Sequence, residues 1–149
     1  MFRFALLATT VLICIASLSC QNYSTGLQQS VTRVDETVAT GTLRTIASAQ
    51  QTYAISNGGN YGTFQQLFEG DYLDLRFKSD NPASQTRQIK DYVLTMEVGR
   101  DSAGPHFRCN ADPATAGQQG KHFYIDSSAN ALHANSTQPA SASDPIAQP

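Results

Sequence analysis

From residue 31 onward, apolar side chains recur at steps of mostly three, four or seven: Val31, Val34, Val38, Leu43, Ile46, Ala47, Tyr53 and Ala54. That spacing makes one face of an amphipathic helix, with Arg44, Ser48, Gln51 and Thr52 on the other face. Ser30 is suited to cap its start, and Asp35 and Glu36 complement the positive end of the helix dipole. Gly41 and the neighbouring threonines weaken the first half. The pattern therefore predicts a helix over 42–56, extended toward 31. It stops at Asn57-Gly58-Gly59, where left-handed backbone costs little. In the following TFQQLFEGDYLD, Thr63 and Gln66 form a capping-box pattern and Gly70 is placed as a stop. A short second helix would fold Phe64, Leu67 and Phe68 back onto the first.

RFKSDNPASQTRQIK is polar and broken by proline, and reads as a surface loop. The period then changes to two. Tyr92, Leu94, Met96 and Val98 alternate with Val93, Thr95 and Glu97, the signature of a half-buried strand. PHFRCNA and KHFYIDSS give a second and third strand, and a short fourth segment lies around Leu132. The prediction is an α+β domain: a long N-terminal helix packed on a three- to four-stranded antiparallel sheet between 91 and 134. The tail, NSTQPASASDPIAQP (135–149), has no apolar period and is predicted to be disordered.

The first twenty residues follow a different pattern. Arg3 precedes an apolar run from Phe4 to Leu18, then Ser19 and Cys20, then the polar QNYSTG. This is the layout of an export signal, 1–19, and its end resembles the lipobox of bacterial lipoproteins. That resemblance implies a lipidated Cys20 as the first mature residue, with Gln21 favouring outer-membrane sorting. Ser17 stands where the lipobox prefers leucine. An ordinary secretory cut nearby, or an uncut anchor, are the alternatives. Residues 20–37 then form a tether and the start of the helix. With Cys14 in the leader and Cys20 acylated, Cys109 remains as a lone thiol, better suited to a buried small hydrophobe than to a disulfide framework.

GTLRTIASAQQTYAISNGGNYGTFQQL followed by DYLD resembles the globular region of bacterial type IV pilin-like and pseudopilin proteins. YVLTMEV resembles their first strand, and KHFYIDSSANALH their closing hairpin. The similarity spans about 38–134 in order and spacing. It implies a non-enzymatic, pilin-like domain. The N-terminus departs from that family, because it lacks a short basic leader with a glycine cleavage site and an early glutamate.

The chain is 149 residues long, 40% hydrophobic and 15% charged, with 10 Lys and Arg against 12 acidic residues and a net charge of -2. No basic run points to nucleic acid or to an anionic membrane surface. His106 and Cys109, three apart on a strand, would face opposite sides, so they do not pair with His122 as a zinc site. GGNYG follows a helix rather than a strand and reads as a helix stop, not a phosphate loop. No GxSxG occurs. Glu69, Asp71 and Asp74 cluster loosely around one turn, and Asp112 and Asp126 lie on later strands, none with calcium-loop spacing. The sequons at Asn22 and Asn135 fall in polar stretches where such triplets arise from composition.

No catalytic, cofactor-binding or metal residue is therefore assigned; Cys20 is the one site expected. The expected role is a lipid-anchored module of the bacterial cell envelope. It would be exported, held at the membrane by its lipid, and partnered by a protein of an envelope or pilus-like assembly. The alternatives are a minor pilin or pseudopilin-type subunit of a pilus or type II secretion system, and a ligand-binding lipoprotein. Exposed tyrosines, among Tyr23, Tyr61, Tyr72 and Tyr92, would mark an interface, while Tyr53, Tyr92 and Tyr124 suit a core with wet hydroxyls.

Overall fold

The computed structural model describes residues 2–115, 117, 119–128 and 131–148, with side chains for residue 27 and from residue 29 onward. Two compact units are present, Met1–Val34 and Asp35–Pro149. The helix α1 (Phe2–Ser56) contributes to both. In the first unit Leu27, Val31 and Val34 are exposed, so the apolar face predicted from Val31 is not buried at its start. The side chain of Cys20 and the leader lie outside the described side chains.

In the second unit α1 buries Leu43, Ile46 and Ala47 of the predicted face, together with Ala39, while Val38 is partly buried. It ends at Ser56, and Gly58 and Gly59 take φ of 63° and 81°, the left-handed turn that the sequence demands. The short helix α2 (Phe64–Glu69) has the anticipated capping box. The Thr63 side chain accepts from Gln66 N, the Gln66 side chain accepts from Thr63 N, and Gly70 closes the helix. Phe64 and Leu67 are fully buried beneath it. A single 3₁₀ turn, Leu75–Phe77, is capped by Asp74 and delivers Phe77 to the core.

The sheet corrects the predicted count. It has five antiparallel strands rather than three or four: β1 (Thr86–Ile89), β2 (Tyr92–Asp101), β3 (Gly104–Pro113), β4 (His122–Asp126) and β5 (His133–Asn135). Their order in space is their order in the chain. β1 lies in the stretch that reads as loop. Its inward positions are Arg87 and Ile89, and a buried arginine breaks the apolar alternation that marks a strand. The Arg87 side chain donates to the carbonyls of Phe77 (2.6 Å), Ser84 (2.9 Å) and Thr86 (2.7 Å), and lies 5.0 Å over the Phe64 ring. Burial pulls its pKa below the ordinary arginine value.

The second correction concerns the tail, which is ordered through residue 148 rather than disordered. Ala134 N donates to Pro145 O, Ala147 N donates to Leu132 O, and His133 bridges to Ile146, so the segment returns along β5. Ala140 is buried and its carbonyl accepts from Asn110 Nδ2 at 2.8 Å. Asp144 is the hub: its carboxylate accepts from Asn135 Nδ2 and from Ser141 N and Oγ. No apolar repeat was needed to order this segment, because side-chain and backbone hydrogen bonds do it.

The core closes between α1, α2 and the inner face of the sheet. Leu94, Met96, Phe107, Cys109, Phe123 and Ile125 all point inward and are buried. The opposite face carries Glu97 and Arg108, ion-paired at 2.6 Å, with Asn110, His122 and Tyr124.

Candidate functional site

One open cleft of about 560 Å³ lies between the exposed face of α1 and the turn after α2. Its lining is Arg44, Thr45, Ser48, Ala49, Thr52, Asp71 and Tyr72. The α1 residues sit at spacings of one, three and four, a continuous stripe of the helix surface. Ala49 is the buried floor, and its small side chain leaves the depression above it. Thr45 Oγ1 donates to Gly41 O and Thr52 Oγ1 donates to Ser48 O, each at 3.0 Å. Their protons are thus committed to the helix backbone, and their free lone pairs can only accept.

The opposite wall is Tyr72, and two glycines allow it to stand there. A β-carbon on Gly70 would lie 2.6 Å from the Tyr72 ring, and one on Gly62 would lie 3.1 Å from the Tyr53 ring. The two tyrosine rings meet edge to face with centroids 5.4 Å apart. Asp71 has a φ of 60°, the left-handed region, which a short polar side chain tolerates. Neither Arg44 nor Asp71 makes a side-chain hydrogen bond or ion pair with a described residue.

Asp74 is drawn away from the cleft. Its carboxylate accepts from Arg76, with the shortest contact 2.7 Å, and that hydrogen bonding lowers its pKa below 3.8. Glu69 accepts from Gln65 Nε2. The three acidic residues of this turn are therefore not gathered into one cage. Among the described residues no group of three His, Cys, Asp or Glu is placed to hold a metal.

The structure does unite two residues that the sequence left apart. His122 Nδ1 lies 2.6 Å from Asp112 Oδ1 on the outer sheet face, where β3 and β4 run side by side. Strand alternation was the signal available, since the register pairs Ala111 with Phe123 and puts the next residues together on the outer face. Close by, the buried Tyr92 donates its hydroxyl proton to Lys121 O (2.8 Å), and Lys121 N donates to Glu36 Oε1 (3.0 Å). Burial, then the charges of Glu36, Asp35 and Asp112, raise the Tyr92 pKa well above its usual value. These contacts tie the β3–β4 loop to α1. His122 hydrogen-bonds no hydroxyl or thiol among the described residues.

His106 and Cys109 do fall on opposite faces of β3. Cys109 is fully buried, and burial with the nearby Asp112 charge pushes its thiol pKa far up. Tyr92 belongs to the core, while Tyr53, Tyr61 and Tyr72 are half-buried against it. Tyr124 donates to Asp126 Oδ2 at 2.9 Å, with its pKa pushed up to about 12 by burial and that bond.

Compared with protein families, curated proteins and solved structures, the chain matches none.

Proposed function

We propose that this chain is a non-enzymatic interaction module of the bacterial cell envelope, carried on a lipid at Cys20 and presenting the α1–Tyr72 cleft to a protein partner. The observation that carries the reading is the form of that cleft. It is an open stripe of hydroxyls and two unpaired charges beside a fixed tyrosine, not an enclosed pocket with converging titratable groups. Interfaces favour this combination of a rigid aromatic wall and a polar surround. The lipobox-like end of the leader and the pilin-like motifs over 38–134 support the envelope setting and the structural class of role.

Two experiments test it. Mass spectrometry of the membrane-extracted protein is expected to find an acylated Cys20 at the N-terminus and no residues 1–19; an intact Met1 on the mature chain overturns the anchor. Photo-crosslinking in membranes from position 48, beside the cleft, is expected to capture one defined protein. The interaction role fails if no protein is captured while a specific small molecule raises the melting temperature of the purified protein.

A further inference from the structure

We infer that Asn57 is a site of spontaneous deamidation, and that its conversion to aspartate or isoaspartate unlatches the C-terminal end of α1. The inference stands apart from the interaction role proposed above.

The reaction needs an asparagine side chain, the amide nitrogen of the next residue, and water. Gly58 N, deprotonated by base, attacks Asn57 Cγ; the Cγ–Nδ2 bond breaks, ammonia leaves, and a cyclic imide closes. Water then adds to one imide carbonyl. Addition at Cγ restores the main chain and leaves aspartate. Addition at the backbone carbonyl breaks the bond from that carbon to Gly58 N, so the main chain runs through Cγ as isoaspartate. The net change is one water consumed and one ammonia released, with no oxidant or reductant.

Sequence and structure single out this position. Asn57 is the one asparagine of the chain that precedes glycine, whose missing side chain leaves the attacking nitrogen uncrowded. Asn57 and Gly58 are both exposed, so base and water reach them. Gly58 lies past the last helical residue with φ of 63°, and its N–H donates to no other described residue. Other asparagines lack this combination. Pro82, after Asn81, has no N–H. Ala111, after Asn110, is paired within the sheet on both sides. The Asn135 side chain is held at both ends, by Asp144 on Nδ2 and by Thr137 and Gln138 on Oδ1.

The bond from Asn57 Nδ2 to Tyr53 O, 2.8 Å long, competes with the attack and opens when the last turn frays. Conversion removes it for good. A carboxylate at 57 has no proton to donate and stands beside the carbonyls at the negative end of the helix dipole. Asn57 O is also gripped by Asn60, through N at 3.2 Å and Nδ2 at 2.9 Å, and Arg100 Nη2 in turn donates to Asn60 Oδ1 at 2.8 Å. In isoaspartate that oxygen leaves the main chain for a free carboxylate, so the tie from the helix stop to β2 is disturbed as well. The freed carbonyl belongs to Tyr53, whose ring stands against Tyr72, and the change therefore reaches the cleft wall.

The test incubates the full chain at pH 8 and at pH 6 beside a blocked peptide of residues 53–62. Peptide mapping with electron-transfer fragmentation separates asparagine, aspartate and isoaspartate at 57. Both products are expected at 57, faster at pH 8, slower than in the peptide, and before any at Asn81, Asn110 or Asn135. Asn57→Gln, which would have to close a larger ring, stays unconverted. An Asn57 still intact when the peptide has fully converted, or Asn110 or Asn135 converting first, overturns the site. Amide exchange of the converted chain and of Asn57→Asp reads the latch. Protection at the end of α1 and at Asn60 is expected to fall about three- to tenfold in both. Unchanged protection in a chain with isoaspartate confirmed at 57 overturns the unlatching.

Discussion

The side-chain amide of Gln50 grips the backbone of Gly62 from both sides: Nε2 donates to Gly62 O at 2.6 Å and Oε1 accepts from Gly62 N at 2.8 Å. Gln50 is fully buried, and Nε2 also reaches Met96 Sδ at 3.2 Å. One side chain thus satisfies both polar groups of a buried residue in the turn between α1 and α2. Gln50→Leu keeps the volume and strands both groups. At roughly 1–3 kcal/mol for each unsatisfied group, the loss is expected to be about 3 kcal/mol. Urea unfolding measures it as a lower midpoint at unchanged slope; a loss under about 1 kcal/mol means that the Gly62 backbone has found other partners.

Gly70→Ala places a methyl 2.6 Å from the Tyr72 ring, which is itself held by Tyr53. The ring has to move, and the expected cost is about 1–3 kcal/mol, as for other overpacked sites. The displaced ring also opens the cleft wall. Aromatic proton shifts of Tyr72 and Tyr53 report that movement, whereas Gly41→Ala, with open space at its β-carbon, is expected to leave them unchanged.

Ending the chain after Asn135 removes Ala140 from its buried seat and breaks the bonds from Ala134 N to Pro145 O and from Ala147 N to Leu132 O. A stability loss of about 1–3 kcal/mol is expected, read by thermal or urea unfolding. The attachment is also pH-dependent. Hydrogen bonds from Asn135 and Ser141 hold the Asp144 carboxyl below its ordinary 3.8. A depressed carboxylate stabilises the folded chain above its unfolded pKa, and that contribution disappears as pH falls through the lower folded value. Amide protection factors in 136–148, the observed exchange rates corrected for the intrinsic rate at each pH, should therefore be unchanged between pH 7 and 5 and fall below about pH 4. In Asp144→Asn this fall is absent.

Cys109 is buried, and the reactive species is the thiolate, which its surroundings disfavour. Thiol labelling at pH 8, followed by peptide mass mapping to separate Cys109 from Cys14 and Cys20, is expected to leave Cys109 unmodified in the native protein. In urea its labelling follows the unfolding transition. Rapid native labelling would mean that β3 opens locally.

Much of the domain was legible because its signals were local. The α1 face from Leu43 to Tyr53, the Gly58–Gly59 stop and the Thr63–Gln66 box each depend on neighbours a few residues apart. So does the alternation from Tyr92 to Val98. What escaped was written in residues whose polarity conceals their position. Gln50 and Arg87 are buried, yet their partners are backbone carbonyls and amides far off in sequence, at Gly62 and Phe77. Arg87 thereby hid an entire strand. The tail escaped for a related reason: Asp144 and Asn135 are ordinary loop residues until the chain turns back on β5. The cleft was half visible, since Arg44, Ser48 and Thr52 read as the exposed side of α1. That Tyr72 would stand across from them depended on Gly70 and Tyr53 meeting in space.

The sheet's order in space, β1-β2-β3-β4-β5, repeats its order along the chain, so each strand pairs only with the strands made just before and just after it. Closing such neighbours over short loops costs little chain entropy, and topologies of this kind form quickly. The residues up to Pro113 already contain every strand of the β1–β2–β3 part of the sheet, including the long β2–β3 hairpin. They still lack Phe123 and Ile125, which belong to the same buried core as Leu43 and Ile46. The topology therefore lets the hairpins assemble one after another, and the return of residues 136–148 onto β5 needs β5 to be in place.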